Sequence, residues 1–152
     1  VSTPQSACRT PRGLSSGRRL QSASAVPRHI CLSGSAIKQT TVGDAAEKLE
    51  TGWTYLDVRT VEEFEEQRVP GAINVPVFVR GPGGMEPNPN FATAALEAIP
   101  KTASQVLVGC KSGQRSQAAI QQLSSVGCDF EMENVDGGIM AWAQAQLPLE
   151  SK

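Results

Sequence analysis

The chain has 152 residues, 39% of them hydrophobic and 19% charged, enough for one domain and a tail but not for two separate cores. Its net charge of −1 hides an asymmetry: residues 1–43 carry Arg9, Arg12, Arg18, Arg19, Arg28 and Lys38 and no acid, leaving 8 basic against 15 acidic residues in the remainder. An acidic body does not invite nucleic acid, no apolar run is long enough to cross a bilayer, and neither is expected as a partner.

Residues 1–35 are rich in Ser and Arg, lack acids, and are punctuated by Pro and Gly. With no apolar stretch of the secretory kind, this composition predicts a disordered transit peptide, chloroplast by its Ser and Thr content, with the mitochondrion as the alternative. The folded domain is expected over 36–149, followed by a short tail at 150–152. Short apolar runs alternating with helical patterns predict an α/β fold with a mainly parallel sheet of about five strands and helices on both faces.

In chain order, "AIKQ" is a short first strand. "TVGDAAEKLETG" is a helix opened by Thr41 three residues before Asp44 and stopped at Gly52. "TYLDVR" is a buried strand, "TVEEFEEQR" a short acidic helix, and "GAINVPVF" a further strand. "VRGPGGMEPNPN" is a Gly/Pro loop, and its span from Arg80 to Asn90 is either a lid or a tolerated excursion. A helix over "FATAALEAI" halts at Pro100, and "SQVLVGC" is the most apolar strand. "SQAAIQQLSSVG" is an amphipathic helix, "CDFEMENVDGG" holds the last strand, and "IMAWAQAQ" is the last helix.

Chemistry concentrates at "CKSGQRS". The cysteines Cys8, Cys31, Cys110 and Cys128 form no C-x-x-C pair, and the one histidine is His29. Neither a disulfide framework nor a zinc site is indicated, and no cofactor or metal is expected. A nucleophile in the domain must therefore be activated without imidazole. The strand delivers Cys110 to the carboxyl end of the sheet, where ligands of open α/β sheets gather. Gly113 can take positive φ without strain, and Ser116 is expected as the N-cap of the next helix. Such a turn points backbone N–H groups inward at a helix start, which lowers a thiol pKa. Lys111 and Arg115 add positive charge. No Walker A pattern is present. The phosphatase signature places five residues between Cys and Arg, whereas four separate Cys110 from Arg115. The smaller cradle suits a single extra sulfur atom better than a tetrahedral phosphate or arsenate.

Cys110-Lys111-Ser112-Gly113-Gln114-Arg115 resembles the active-site loop of the rhodanese (sulfurtransferase) family. "YLDVRTVEEF", "VPGAINVP" and "VDGGIMAW" resemble, in the same order, its other signatures. The similarity runs from Ile37 to Pro148, and "GAINVPVFVRGPGGMEPNPNF" is similar to plant single-domain rhodaneses of the senescence-associated kind. The resemblance implies a rhodanese-like domain in which the catalytic Cys110 carries a persulfide. Sulfur would come from thiosulfate or a similar small anionic donor and pass to cyanide or a thiol, a protein acceptor included. The loop residues Lys111, Ser112, Gly113, Gln114 and Arg115 would bind substrate. The basic Lys111 after the cysteine implies thiosulfate rather than mercaptopyruvate.

Other residues have simpler expected roles. Arg115 shapes the loop more than it does chemistry, and Asp57 and Arg59 lock a strand end by hydrogen bonds. Trp142 and Cys128 pack, the latter in preference to serving as a resolving thiol, and Gly137 and Gly138 permit the turn into the last helix. Glu62, Glu63, Glu65 and Glu66 form a solvated helix face. Two rival functions stand beside the sulfurtransferase. One is a rhodanese-like sensor or partner-binding module with little turnover. The other is a small phosphatase or arsenate reductase, which the loop length disfavours.

Overall fold

The computed structural model describes residues 36–152; the expected transit peptide, with Cys8, His29 and Cys31, lies outside the described residues. Its elements are β1 (Gln39–Thr40), α1 (Val42–Glu50), β2 (Thr54–Asp57), α2 (Val61–Glu66), β3 (Ile73–Asn74), β4 (Phe78–Gly81), β5 (Gly84–Pro87), α3 (Phe91–Ala98), β6 (Gln105–Gly109), α4 (Gln114–Val126), β7 (Glu131–Val135) and α5 (Gly138–Gln144).

The main sheet has five strands in the order β1-β7-β6-β2-β3, all parallel. A parallel sheet must be covered on both faces, so its central strand is apolar throughout. In β6, Val106, Leu107 and Val108 are all fully buried. The period-2 pleat sends these side chains alternately to two cores. Leu56, Val106 and Val108 pack with Phe91 and Ala95 of α3 and with Ala119, Ile120 and Leu123 of α4. On the opposite face Tyr55, Leu107 and Val135 meet Ala45 of α1 and Ile139 and Trp142 of α5. Each fully buried Leu or Val contributes about 1.5–3 kcal/mol relative to exposure. Trp142 stands edge-on to Tyr55 with ring centroids 5.8 Å apart, and its indole N–H donates to the Pro148 carbonyl at 2.9 Å. Cys128 is buried at the entry to β7.

The expected α/β architecture with helices on both faces is present. Two helices begin at side-chain caps: the Thr41 hydroxyl accepts from the Asp44 N–H to open α1, and Thr60 and Glu63 form a capping box that opens α2. Three details differ. The first strand is shifted to Gln39–Thr40, because pairing with Asn134 and Val135 of β7, not local composition, sets its limits. "GAINVPVF" contributes only Ile73–Asn74 to the sheet, since Pro76 offers no N–H for a ladder. The segment read as a Gly/Pro loop holds a β-hairpin, with Phe78–Gly81 antiparallel to Gly84–Pro87.

The register fixes where the strands end. Asp57 lies opposite Gly109 and Val108 opposite Asn134, so β2, β6 and β7 finish at one edge with Cys110 in the middle.

Candidate active site

Cys110 follows β6 directly, and the chain turns into α4 through Gly113, whose φ is +97°. The start of α5 holds the turn from the other side. Ile139 N–H donates to the Cys110 carbonyl at 2.9 Å and Met140 N–H to the Lys111 carbonyl at 3.3 Å. In a trans peptide the N–H points opposite to the C=O, so anchoring the Lys111 carbonyl outward turns the Ser112 N–H inward. Gly138 makes this approach possible: a Cβ there would lie 2.2 Å from the Cys110 carbonyl oxygen and 2.7 Å from the Lys111 carbonyl carbon and oxygen.

The Cys110 sulfur sits inside this turn, 1% exposed. It accepts from Gly113 N–H at 3.1 Å and lies 3.5 Å from the Ser116 hydroxyl. Burial alone pushes the thiol up. The Ser116 hydroxyl and the N–H groups of Ser116, Ser112 and Gly113 together outweigh that, and the thiol is held below its ordinary value. The site thus favours an anionic sulfur, and among the described residues no histidine stands beside it.

Around the cradle runs a set of ion pairs. Asp57 and Arg59 are both buried, and the Arg59 guanidinium engages the Asp57 carboxylate at 2.6–3.0 Å. It also donates to the Glu63 carbonyl at 3.0 Å and the Gln67 carbonyl at 2.6 Å. This clamps α2 against the end of β2, which presents the Glu63 side chain to the loop. Arg115 meets that carboxylate in a two-pronged pair at 2.7 and 2.9 Å, the geometry in which a guanidinium binds most specifically. Hydrogen bonding from Arg115 holds the Glu63 carboxyl down to about 2, against the opposing effect of burial.

The sequence-predicted residues therefore divide. Cys110 and the N–H groups of Ser112 and Gly113 converge on one point. Lys111, Ser112 and Gln114 leave their side chains exposed. Lys111 borders a cleft of about 330 Å³ between α2 and α5, shared with Arg59, Glu63, Glu66 and Met140. Arg115 is occupied by Glu63, and Asp57 and Arg59 by each other and by α2. Two expectations need correction. Ser116 is not an N-cap: left-handed Gly113 takes that place, and the Ser116 hydroxyl turns back toward Cys110. Glu63 does not belong to a solvated face, since it caps α2 and pairs with Arg115. Asn134 was not singled out by sequence at all, yet it is fully buried beside the cradle, next to Ser116 Oγ. An uncharged polar residue amid "EMENVD" looks like surface unless the strand's register is known.

The rhodanese-like domain family matches residues 41–145. The chain belongs to the rhodanese family. It is 40% identical over 111 residues to rhodanese-like domain-containing protein 17 of Arabidopsis thaliana, covering 72% of this chain and 70% of that one. It is 41% identical over 110 residues to thiosulfate sulfurtransferase 16, chloroplastic, of the same plant, covering 70% of this chain and 88% of the relative. Other relatives have names that place them in chloroplasts or mitochondria. Among solved structures, a rhodanese-related protein of Thermoplasma volcanium shares the fold at a TM-score of 0.59 and 23% identity, covering 76% of this chain and 99% of that one.

Proposed function

We propose that this rhodanese-like protein is a sulfurtransferase that carries a sulfane sulfur on Cys110. The observation that supports it best is the buried sulfur ringed by the N–H groups of Ser112, Gly113 and Ser116 and by the Ser116 hydroxyl. In the first half-reaction the Cys110 thiolate attacks the outer sulfur of thiosulfate. A Cys110 S–S bond forms, the donor's S–S bond breaks, and its electron pair leaves with sulfite. In the second, cyanide or a thiolate attacks the outer sulfur of the persulfide, and the Cys110 thiolate returns. The N–H groups favour the anionic sulfur at the start and end of the cycle, as preorganised donors do for developing charge. Lys111, exposed at the mouth of the α2–α5 cleft, attracts the anionic donor, and a protein thiol is an acceptor of the same chemistry. With Arg115 and Glu63 mutually engaged, their role is to hold the loop's shape.

Two relatives named as thiosulfate sulfurtransferases support the reading. The organelle names among the relatives support a plastid address in residues 1–35, with the mitochondrion as the alternative. The test is thiosulfate:cyanide turnover of wild type beside Cys110→Ser, whose hydroxyl is no stable anion near neutral pH. Turnover in wild type and none in the folded variant is expected. A wild type that binds thiosulfate without turnover would favour a sensor or binding module.

A further inference from the structure

Ser116 Oγ lies within hydrogen-bonding reach of three acceptors: the Gly113 carbonyl at 2.9 Å, Asn134 Oδ1, and the Cys110 sulfur at 3.5 Å. A hydroxyl has one proton to give, and a neutral thiol can in turn donate to the hydroxyl oxygen. The hydroxyl's direction therefore depends on the charge of the sulfur. Beside a neutral thiol it can point at Asn134 and receive the S–H. Beside a thiolate it must turn to the sulfur to be of use.

Asn134 is built to hold the first arrangement. It is fully buried on β7, where a carboxamide is costly unless both ends are bonded. Its Nδ2 donates to Gln39 Oε1 on β1, which leaves Oδ1 facing Ser116. Its backbone N–H donates to the Lys38 carbonyl at 2.8 Å, so Gln39 of edge strand β1 and Lys38 just before it fix the residue at two points.

We propose that Asn134 is a positioning residue for Cys110, acting through the Ser116 hydroxyl, which it orients beside the neutral sulfur and yields to the charged one. This rests on Cys110 being the sulfur carrier, but its test does not require turnover. The rate of iodoacetamide alkylation of Cys110 is followed against pH in the full-length chain, with peptide mass spectrometry to separate this site from the other cysteines. Arg115 on α4 and Tyr55 on β2 interact electrostatically with the sulfur, and both are retained in every variant.

Ser116→Ala should raise the alkylation midpoint by about one pH unit, a tenfold fall in thiolate at a given pH below it. Ser116→Thr, which keeps the hydroxyl, should restore most of it. Asn134→Leu, nearly isosteric, removes the acceptor that competes with the thiolate for the Ser116 proton and should lower the midpoint by a smaller amount, and Asn134→Ala serves as the second variant. The deciding result is the double variant. If Asn134 acts through Ser116, Ser116→Ala with Asn134→Leu has the same midpoint as Ser116→Ala alone. Fully additive shifts, or an unmoved midpoint in folded Ser116→Ala, would overturn the proposal. A chain that shows these shifts yet transfers no sulfur would refute the sulfurtransferase reading and leave the coupling intact.

Discussion

Gly138→Ala places a methyl group where the active loop is held from behind. The added Cβ would meet the Cys110 carbonyl oxygen at 2.2 Å and the Lys111 carbonyl carbon and oxygen at 2.7 Å. These are backbone atoms that cannot swing aside, so helix and loop must separate by roughly 1 Å to reach ordinary contact. That movement weakens the Ile139 and Met140 hydrogen bonds to the loop carbonyls, at about 1 kcal/mol each. The left-handed backbone at φ +54° costs a non-glycine residue about 1 kcal/mol more. Together these destabilise the fold by about 3 kcal/mol, or a fall of about 10–15 °C in melting temperature for a domain of this size. Sulfur transfer should fall further than stability suggests, because a 1 Å misplacement of a reacting group costs on the order of 100-fold in rate. Circular dichroism melting beside thiosulfate:cyanide turnover below the melt provides the check. A variant with wild-type melting and turnover would refute the claim that α5 sets the shape of the cradle.

Other expectations follow from the charges. Glu63→Gln keeps a capping oxygen for Thr60 but removes the charge facing Arg115. Because the Glu63 carboxyl is depressed to about 2 from an ordinary 4.5, the pair stabilises the fold above the ordinary value, and that contribution is lost as pH falls from about 4.5 to about 2. With both side chains about a quarter exposed, the difference between wild type and variant should be about 1–2 kcal/mol near neutral pH. Melting curves across pH should show it closing in that acid window; a constant difference would contradict the assignment. Lys111→Ala should raise the KM for thiosulfate several-fold at low salt and less at high salt, with kcat little changed. An unchanged KM at low salt would return Lys111 to the ordinary surface.

Much of the fold is written in local pattern. The apolar run of β6, the Thr41 cap and the amphipathic α4 are signals within a few residues, and each element lies close to where that pattern places it. The hairpin Phe78–Gly81 with Gly84–Pro87 escaped because Pro and Gly around its turn dominate the composition of a short, exposed segment. The site splits in the same way. Cys110 and Gly113 are legible because the loop's chemistry is contiguous. Glu63 is not, since one glutamate among four neighbours is singled out only by an arginine 52 positions later. Ser116 has the composition of an N-cap, but left-handed Gly113 starts the helix sooner and frees the hydroxyl for Cys110. Asn134 depends on the register of β7 beside β6, which no local window contains.

The central claim is that Cys110 carries the sulfur, and intact-protein mass spectrometry after thiosulfate treatment tests it most directly. The expected result is a gain of one sulfur atom, mapped to Cys110, removed by cyanide and absent in Cys110→Ser. A chain that gains no sulfur, or gains it at Cys128 instead, would contradict it.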